Sequence, residues 1–227
     1  IVDLLVLYAT KLNEIYDILP SEEINVYVME KYEMNLQEDK SKDGIHIIFT
    51  LSMHKAEQVI LRKKIINDIG QIWTNLPIIN TFDDVFDEGV TKGFVNWQLF
   101  GSRKPGNKAY DLTYYFTMVY DKEDDTWELK ENNVSKLNIL EHLPIMCARN
   151  SNHKKFDLLD NKYLLEAIDE EKNDLLSKEY KKPKINIVQK IDFEQYDLSK
   201  ITDIKELNTL LDLYLENLSN NDYEIKE

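Results

Sequence analysis

Three short segments of the sequence combine glycine with side chains that bind phosphate: residues 42–46, 87–90 and 100–106. The chain has 6 glycines, and all but one lie either in the first segment or between residues 87 and 106. An ordered glycine loses more backbone entropy than any other residue, so it tends to occupy positions with positive φ or positions where a ligand closely approaches the main chain. Because lysine, histidine, aspartate, serine and arginine accompany these glycines, the pattern indicates a site for a phosphate-bearing substrate.

His46 is the first candidate for contact with such a substrate. It precedes the apolar run Ile47–Phe49, so we expect its ring at the start of a buried strand, on the same face as Ile48. A histidine on a strand near an aspartate can contact a triphosphate or orient a metal-bound group. The alternative is a core histidine bonded to a backbone carbonyl. Lys42 precedes it closely, and either shares the ligand or is a solvated loop lysine.

A group of acidic residues lies farther along the chain: Asp83, Asp84, Asp87 and Glu88. Carboxylates held together bind the divalent metal ions that phosphoryl and nucleotidyl transfer require. Acidic turns are also common on acidic proteins, so an ordinary solvated turn is the alternative.

The segment 100–106 reads Phe-Gly-Ser-Arg-Lys-Pro-Gly. Small residues flank a hydroxyl, Ser102, and two cations, Arg103 and Lys104, directly after a predicted strand, which favours an anion-binding turn. The spacing is not that of a Walker A motif. A basic hairpin turn is the alternative.

Hydrophobic periodicity predicts the elements that position these segments. Residues 1–19 fit an amphipathic helix ended by Pro20, and a polar loop spans residues 31–42. We expect strands at 24–30, 45–51, 94–100 and 111–120, a hairpin turn at 121–125, and further helices at 54–75, 137–143, 160–178 and 203–219. The prediction is an α+β core over residues 1–150, followed by a helical extension over residues 151–227.

Composition limits what this core can do. The 227 residues carry a net charge of -14, which argues against a protein that coats nucleic acid by charge alone. Hydrophobic residues make up 43%, enough for a proper core, and no stretch is apolar enough for a membrane span. The single Cys147 excludes a disulfide framework within the chain and favours a reducing, intracellular compartment. The start at Ile1, without Met or leader, is typical of a fragment of a longer protein.

The order of the three segments resembles that of the archaeo-eukaryotic primase (AEP) superfamily. Lys-x-Gly-x-His on a strand is followed by a helix, then by Asp-x-x-Val, and then by a strand with Gly-Ser-x-Lys. The chain is most similar to the primase part of the primase-helicases of large nucleocytoplasmic DNA viruses (poxvirus- and mimivirus-like), with PrimPol enzymes as more distant relatives. The resemblance covers roughly residues 1–150 and implies the AEP fold, whose α+β core includes an RRM-like sheet.

The resemblance also implies site residues. His46, with Gly44 at the small-residue position of the family motif, would contact the incoming nucleotide, and Asp87 would be a catalytic metal ligand for Mg²⁺ or Mn²⁺. The implied nucleotide-binding set is Lys42, His46, Ser102 and Lys104.

Two departures from the family pattern matter. Gln98 stands where PrimPol relatives commonly have an arginine, which puts one nucleotide contact in doubt. The family's upstream acidic pair, Asp-x-Asp or Asp-x-Glu, is missing, and Asp3 is not that pair because it has no acidic partner two residues on. We therefore expect the remaining metal ligands before Ile1, and the fragment alone to be nearly inactive.

The implied function is template-directed nucleotidyl transfer that makes primers for viral DNA replication in infected host cells. Its partners would be a single-stranded DNA template, nucleoside triphosphates and a helicase module in the same parent chain, with no membrane. The competing hypothesis is a non-catalytic module whose RRM-like sheet binds nucleic acid or protein, which exposed aromatic residues on the sheet would favour.

Overall fold

A computed structural model describes residues 1–36, 41–93, 98–104, 107–147, 150 and 152–179. In chain order the elements are α1 (Val2–Asn13), β1 (Tyr16–Asp17), β2 (Glu23–Lys31), β3 (Asn35–Leu36), β4 (Ser41–Lys42), β5 (His46–Phe49), α2 (Lys55–Ile72), α3 (Phe82–Val85), α4 (Glu88–Thr91), β6 (Tyr110–Asp121), β7 (Thr126–Asn132), a 3₁₀ turn (Val134–Lys136), α5 (Ile139–His142), β8 (Asp157–Leu158) and α6 (Lys162–Glu179). Helices and antiparallel strands are mixed along the chain, which confirms the predicted α+β class.

The largest sheet has the strand order β5-β2-β6-β7, and each neighbouring pair is antiparallel. In its register, His46 lies opposite Met29, and Lys31 lies opposite Tyr110. A bulge between Val28 and Met29 interrupts the pairing of β2 with β6. The central strand β2 therefore joins the strand that carries His46 to the strand that carries Tyr110.

Helices α1 and α2 pack against one face of the sheet. The buried residues of this helical side include Leu5, Leu12, Val26, Val28, Ile65, Ile69, Phe116 and Met118. Full burial of one such side chain contributes about 1.5–3 kcal/mol relative to leaving it exposed. Helix α6 joins the same cluster through Leu164, Ile168 and Leu175, and an ion pair between Lys63 and Glu171 ties it to α2.

The opposite face of the sheet carries a second, smaller cluster of buried side chains: Tyr27, Met29, Ile48, Tyr110, Leu112 and Met146. The fully buried Tyr27 stacks on Tyr115, with ring centres 4.8 Å apart and planes 4° apart. Its hydroxyl lies 2.7 Å from Nδ1 of His142, which holds α5 against this face. Since His46 is on the strand beside Tyr27 and Met29, this is the face on which the predicted site lies.

Most of the predicted elements are confirmed. The predicted strands at 24–30, 45–51 and 111–120 correspond to β2, β5 and β6, and the hairpin turn leads into β7. The predicted helices at 54–75 and 160–178 correspond to α2 and α6. Helix α2 begins at a capping box, in which His54 Nδ1 accepts from the N–H of Ala56 and the Glu57 carboxylate accepts from the N–H of His54.

The predicted helix over residues 1–19 is wrong beyond residue 13. Helix α1 ends at Asn13, and Tyr16–Asp17 form β1, which pairs with β8. Ile15, Tyr16 and Ile18 are nevertheless buried. Their apolar spacing is compatible with a helix, but strand pairing buries them equally well in an extended segment, so tertiary context overrides the local pattern.

Two segments that connect the main strands also differ from the prediction. The predicted strand at 94–100 is not found at residues 98–100, which lead into a turn bonded to Tyr110, and residues 94–97 lie outside the described residues. The predicted loop at 31–42 contains the short antiparallel pair of β3 and β4. Both regions border His46, so the corrections concern the surroundings of the predicted site.

Contacts within the chain define one compact unit from Ile1 to Ser177 and a second from Lys178 to Glu227. Residues 152–177, which we placed in a helical extension, therefore belong to the unit that contains the sheet. The functional division at residue 150 stays a prediction, and the predicted helix at 203–219 lies outside the described residues. No helix in the described part of the chain is long and apolar enough to cross a membrane.

Candidate functional site

His46 and Tyr110 form the centre of the candidate site. Their rings stack with centres 3.9 Å apart and planes 17° apart. His46 comes from the first position of β5, and Tyr110 comes from the first position of β6. His46 is half-buried and Tyr110 is buried, so one edge of this stack lies near the protein surface.

A backbone carbonyl holds the imidazole of His46. Nδ1 lies 2.6 Å from the carbonyl oxygen of Gln98, and because a carbonyl oxygen only accepts, Nδ1 carries the hydrogen. In the neutral ring, Nε2 is then an acceptor, and it becomes a donor toward an anion only when a second proton binds. Burial lowers the pKa of His46, the Gln98 hydrogen bond partly opposes this, and the Lys31 cation lowers the pKa further. His46 is therefore neutral in the free protein at neutral pH.

Gly44 makes a close approach to Tyr110. An added Cβ at residue 44 would lie 2.6 Å from the Tyr110 hydroxyl oxygen, closer than real Cβ atoms come to such an atom. The glycine pattern predicted either a positive φ or a close approach of a ligand at such positions, and the group that the structure places against Gly44 is the tyrosine side chain. Burial and the nearby Asp43 carboxylate raise the pKa of Tyr110, so its hydroxyl keeps its proton at neutral pH.

The Lys31 ammonium lies over the Tyr110 ring. Its Nζ is 5.0 Å from the centre of the tyrosine ring, within the range of a cation–π interaction. The strand register places it directly opposite Tyr110 on the neighbouring strand. A cation and a neutral imidazole are thus held on one aromatic ring.

The turn that contains Ser102 is attached to the same tyrosine. The N–H of Gly101 donates to the Tyr110 carbonyl at 2.8 Å, and the N–H of Tyr110 donates to the Ser102 carbonyl at 3.1 Å. Gly101 has φ +75°, the left-handed conformation that glycine adopts without strain. The Ser102 hydroxyl donates to the Leu99 carbonyl at 2.7 Å, so in this state it can only accept from a ligand.

The two lysines predicted to bind nucleotide, Lys104 and Lys42, lie on different segments. Lys104 is exposed and lies two residues beyond Ser102 on the same turn. Lys42 pairs with Asn35 in the short β3–β4 ladder, and its side chain lies outside the described part of the structure. The structure thus places Gly44, His46 and Ser102 around Tyr110, with Lys104 on the adjoining turn.

Asp87 lies in a different environment. Its exposed carboxylate accepts the N–H of Gly89 at 2.8 Å and so caps the short helix α4. The preceding residue, Phe86, packs on Tyr8 and Trp73 on the helical side of the sheet, and its carbonyl accepts from Arg62 of α2. The described contacts of this segment are therefore with α1 and α2, whereas the His46 stack belongs to the opposite face.

The acidic residues do not assemble into a metal site in the described structure. Among the described residues, no three His, Cys, Asp or Glu side chains lie close enough together to hold a metal ion. Asp83 pairs with Arg62, and Asp84 caps α3 with Thr81. Each of these carboxylates thus has a local structural role.

Tyr110 and Lys31 are site residues that the sequence reasoning missed. Tyr110 closes the Gly-Ser turn and begins a strand, so its position after the anion-binding motif is the signal that could have found it. Lys31 is the last residue of β2, but only the register of β2 with β6 shows that it lies opposite Tyr110.

Comparison with known proteins gives two findings. Residues 1–116 match the family model described as the C962R protein N-terminal AEP domain. Over 147 residues, 63% of the chain, the sequence is 29% identical to a protein of Acanthamoeba polyphaga mimivirus named "Putative helicase L207/L206". The aligned part is 15% of that relative, so the chain corresponds to a small portion of its length.

These findings confirm the resemblance that the motif order suggested. The family match includes the strands of His46 and of Lys31 and reaches into β6, so it contains the whole Tyr110 arrangement. Since it spans 116 of the 227 residues, just over half, this chain belongs to the AEP, or archaeo-eukaryotic primase, family.

Proposed function

We propose that this chain supplies the triphosphate-binding side chains of a viral DNA primase, which makes primers by template-directed nucleotidyl transfer. Membership of the AEP family supports a primase-like function at the level of the family. The observation that carries the finer proposal is the convergence of the Gly44–His46 strand and the Gly101–Ser102 turn on Tyr110.

The chemistry assigns a task to each side chain. When a primer 3′-hydroxyl attacks the α-phosphate of a nucleoside triphosphate, negative charge grows on phosphate oxygens, and cations held in place stabilise it. His46, once protonated, donates from Nε2 to a phosphate oxygen, while Lys31 and Lys104 add positive charge. Tyr110 is a positioning residue, because it holds His46 by stacking and the Ser102 turn by backbone hydrogen bonds. Lys42 is retained in the nucleotide-binding set from the family motif.

Primases of this family generally use divalent metal ions, and we retain Asp87 as a ligand for Mg²⁺ or Mn²⁺. Magnesium is typically bound through one or two carboxylates together with substrate phosphates. Among the described residues, Asp87 supplies one carboxylate and belongs to no group of three ligand side chains, and one of its oxygens already caps α4. We therefore derive no step through the ion, and assign to this chain the binding and orientation of the triphosphate.

The viral relative supports the rest of the proposal. Its printed name contains the word helicase, and the chain corresponds to only 15% of its length. We propose that the parent of this chain carries a helicase module, acts on a single-stranded DNA template, and takes part in DNA replication in the infected host cell. In that parent, His46→Ala and Asp87→Ala are expected to abolish primer synthesis with Mg²⁺ or Mn²⁺, and the 227-residue chain alone is expected to be nearly inactive.

Nucleotide binding by the chain itself tests the site directly. Calorimetric titration with a nucleoside triphosphate is expected to show affinity weakened roughly 10-fold or more by His46→Ala, since a hydrogen bond to a charged group contributes about 1.5–3 kcal/mol. Lys104→Ala is expected to weaken binding as well, whereas Lys122→Ala, at an exposed lysine of the β6–β7 hairpin, leaves it unchanged. Equal affinity in all four proteins would contradict the site assignment.

The alternative of a non-catalytic sheet surface is less well supported. Two tyrosines on the face of the sheet opposite α1 and α2, Tyr27 and Tyr115, stack on each other, and both contact the His142 ring edge-on. The Tyr115 hydroxyl donates to Asn25 at 3.0 Å. These rings are used in packing α5 onto the sheet, so they do not form an open platform for bases.

A further inference from the structure

The most exposed large hydrophobic side chain in the described structure lies beside the candidate site. Tyr32 directly follows Lys31 and is 89% exposed, Met34 follows two residues later and is 56% exposed, and Ile45 is 42% exposed. Ile45 directly precedes His46. Exposed aromatic and aliphatic groups on the two segments that lead to Lys31 and His46 indicate an interaction surface.

A basic loop adjoins these side chains. Arg103, Lys104 and Lys108 are exposed on the segment between the Ser102 turn and β6. Lys108 lies 3.6 Å from the Glu33 carboxylate, so this loop contacts the segment that carries Tyr32. We call Tyr32, Met34, Ile45, Arg103, Lys104 and Lys108 the rim surface.

The charge of the rim surface contrasts with that of the whole chain. The net charge of the protein is -14, and a polyanion is bound only where cations are locally concentrated. Lys108 and Glu33 form an exposed surface pair, which is weak, so Lys108 can exchange Glu33 for a phosphate. Arg103 and Lys104 are exposed on the same loop and Lys31 directly precedes Tyr32, while Asp43 is an acidic neighbour of Tyr110. An aromatic ring with adjacent cations is the combination that binds single-stranded nucleic acid, through base stacking and phosphate contacts.

We propose that the rim surface binds the single-stranded DNA template, with a base stacked on Tyr32 and the adjoining phosphates on Arg103 and Lys108. The proposal rests on the proposed function, because it names the surface that brings the template to the triphosphate site. Tyr32 is connected to that site through Lys31, whose ammonium lies over the Tyr110 ring. Bound template and bound triphosphate would thus be neighbours on the same end of the sheet.

A second exposed tyrosine supplies the matched control. Tyr163 on α6 is 82% exposed, so replacing it removes an equally accessible ring at a place far along the chain from the rim surface. The test measures fluorescence anisotropy of a labelled oligodeoxythymidine of about 16 nucleotides with the full chain. Tyr32→Ala is expected to weaken binding roughly 10-fold, Tyr32→Phe to retain it, and Tyr163→Ala to leave it unchanged. Arg103→Ala is expected to reduce the slope of log affinity against log salt by about one.

Several outcomes would overturn the proposal. These are no binding by the unmodified chain, the same affinity in Tyr32→Ala as in the unmodified chain, or an equal loss in Tyr32→Ala and Tyr163→Ala. A dimer in sedimentation that Tyr32→Ala converts to a monomer, with DNA affinity unchanged, would assign the rim surface to a second copy of the chain and overturn it as well.

Nucleotide titration of the same variants separates this proposal from the proposed function. Tyr32→Ala is expected to keep its triphosphate affinity, whereas His46→Ala loses triphosphate affinity and keeps DNA binding. If His46→Ala binds triphosphate normally while Tyr32→Ala loses DNA, the proposed site fails and the rim surface stands. The reverse result removes the rim surface and leaves the triphosphate site intact.

Discussion

Gly44→Ala is expected to destabilise the fold by crowding Tyr110, the residue around which the candidate site is arranged. The added Cβ would lie 2.6 Å from the Tyr110 hydroxyl oxygen, whereas favourable contacts between heavy atoms are about 3.5–4.0 Å. Gly44 is not among the described glycines with positive φ, so the expected cost is steric and does not come from backbone strain.

The magnitude depends on whether Tyr110 can move aside. Its ring is stacked on His46, and its N–H and carbonyl are bonded to Ser102 and Gly101, so a shift of the ring disturbs several contacts at once. Overpacking in such a place typically costs about 1–3 kcal/mol. We expect Gly44→Ala to lower the free energy of unfolding by that amount and to weaken triphosphate binding, since His46 would shift with the tyrosine.

A double-mutant cycle measures this contact. Tyr110→Phe removes the hydroxyl oxygen, and the next ring atom would lie 3.6 Å from the new Cβ, an ordinary contact. Urea unfolding of the four proteins, followed by tryptophan fluorescence, gives the four free energies of unfolding. The double variant is expected to recover roughly 1–2 kcal/mol relative to the sum of the single effects, as neighbouring residues in contact do.

Gly101→Ala is the control variant, because its cost should not depend on contact with the Tyr110 side chain. Gly101 has φ +75° and nothing within 4 Å of its added Cβ, so its cost comes from the backbone conformation alone. That cost is about 1–2 kcal/mol, and Tyr110→Phe is not expected to relieve it. A coupling below about 0.5 kcal/mol between positions 44 and 110, or the same coupling between 101 and 110, would refute the steric explanation.

Other predictions follow from the same contacts. Burial lowers the pKa of His46 in the free chain, and a bound triphosphate favours its protonated form, so affinity should rise as the pH falls from neutral toward that lowered pKa. The rise should be smaller in His46→Gln, which corrects for titration of the nucleotide itself. The same lowered pKa means that His46 contributes stability above about pH 6.5 that is lost as the pH falls through its folded-state pKa, measurable by urea unfolding at several pH values. Asp87→Ala should cost up to about 1 kcal/mol through loss of the cap on Gly89, while Asp87→Asn keeps the cap; if Asp87 holds a metal, Asp87→Asn should still abolish primer synthesis by the parent protein. Ile168→Ala on α6 should lower the free energy of unfolding by about 2–5 kcal/mol because the side chain is buried, whereas the exposed Leu176→Ala should change it little. Equal stability of these last two variants would show that α6 does not support the sheet.

The sequence was informative where local pattern and tertiary packing agree. The strand pattern of residues 24–30 and the helical pattern of residues 54–75 correspond to β2 and α2, because each presents apolar residues to the same core. The pattern at residues 14–19 failed because Tyr16 pairs with Leu158, more than a hundred residues away in sequence. Such a pairing leaves no trace in a local window, so the helix was predicted to continue beyond Asn13.

In the candidate site, too, the sequence predicted some residues, whereas the contacts between them depend on the fold. Gly44, His46 and Ser102 were predicted from motif order, and the structure brings them to one place. Their common contact, Tyr110, belongs to none of the motifs. The grouping of Asp87 with the site rests on family spacing alone, since its carboxylate is used to cap α4. Motif spacing thus identified residue types, whereas their mutual contacts depend on the register of three strands.

The bulge in the β2–β6 ladder explains why that register could not be read from alternation. Tyr115 and Tyr110 are an odd number of residues apart, so strict alternation would place them on opposite faces of β6. The register shifts from Val28 opposite Tyr114 to Met29 opposite Leu112, which leaves Thr113 as an extra residue on β6. That single residue turns Tyr110 to the face of Lys31, and so to the face on which it stacks on His46. Bulges often re-aim side chains next to functional sites, and here the bulge is what makes the central contact of the candidate site possible.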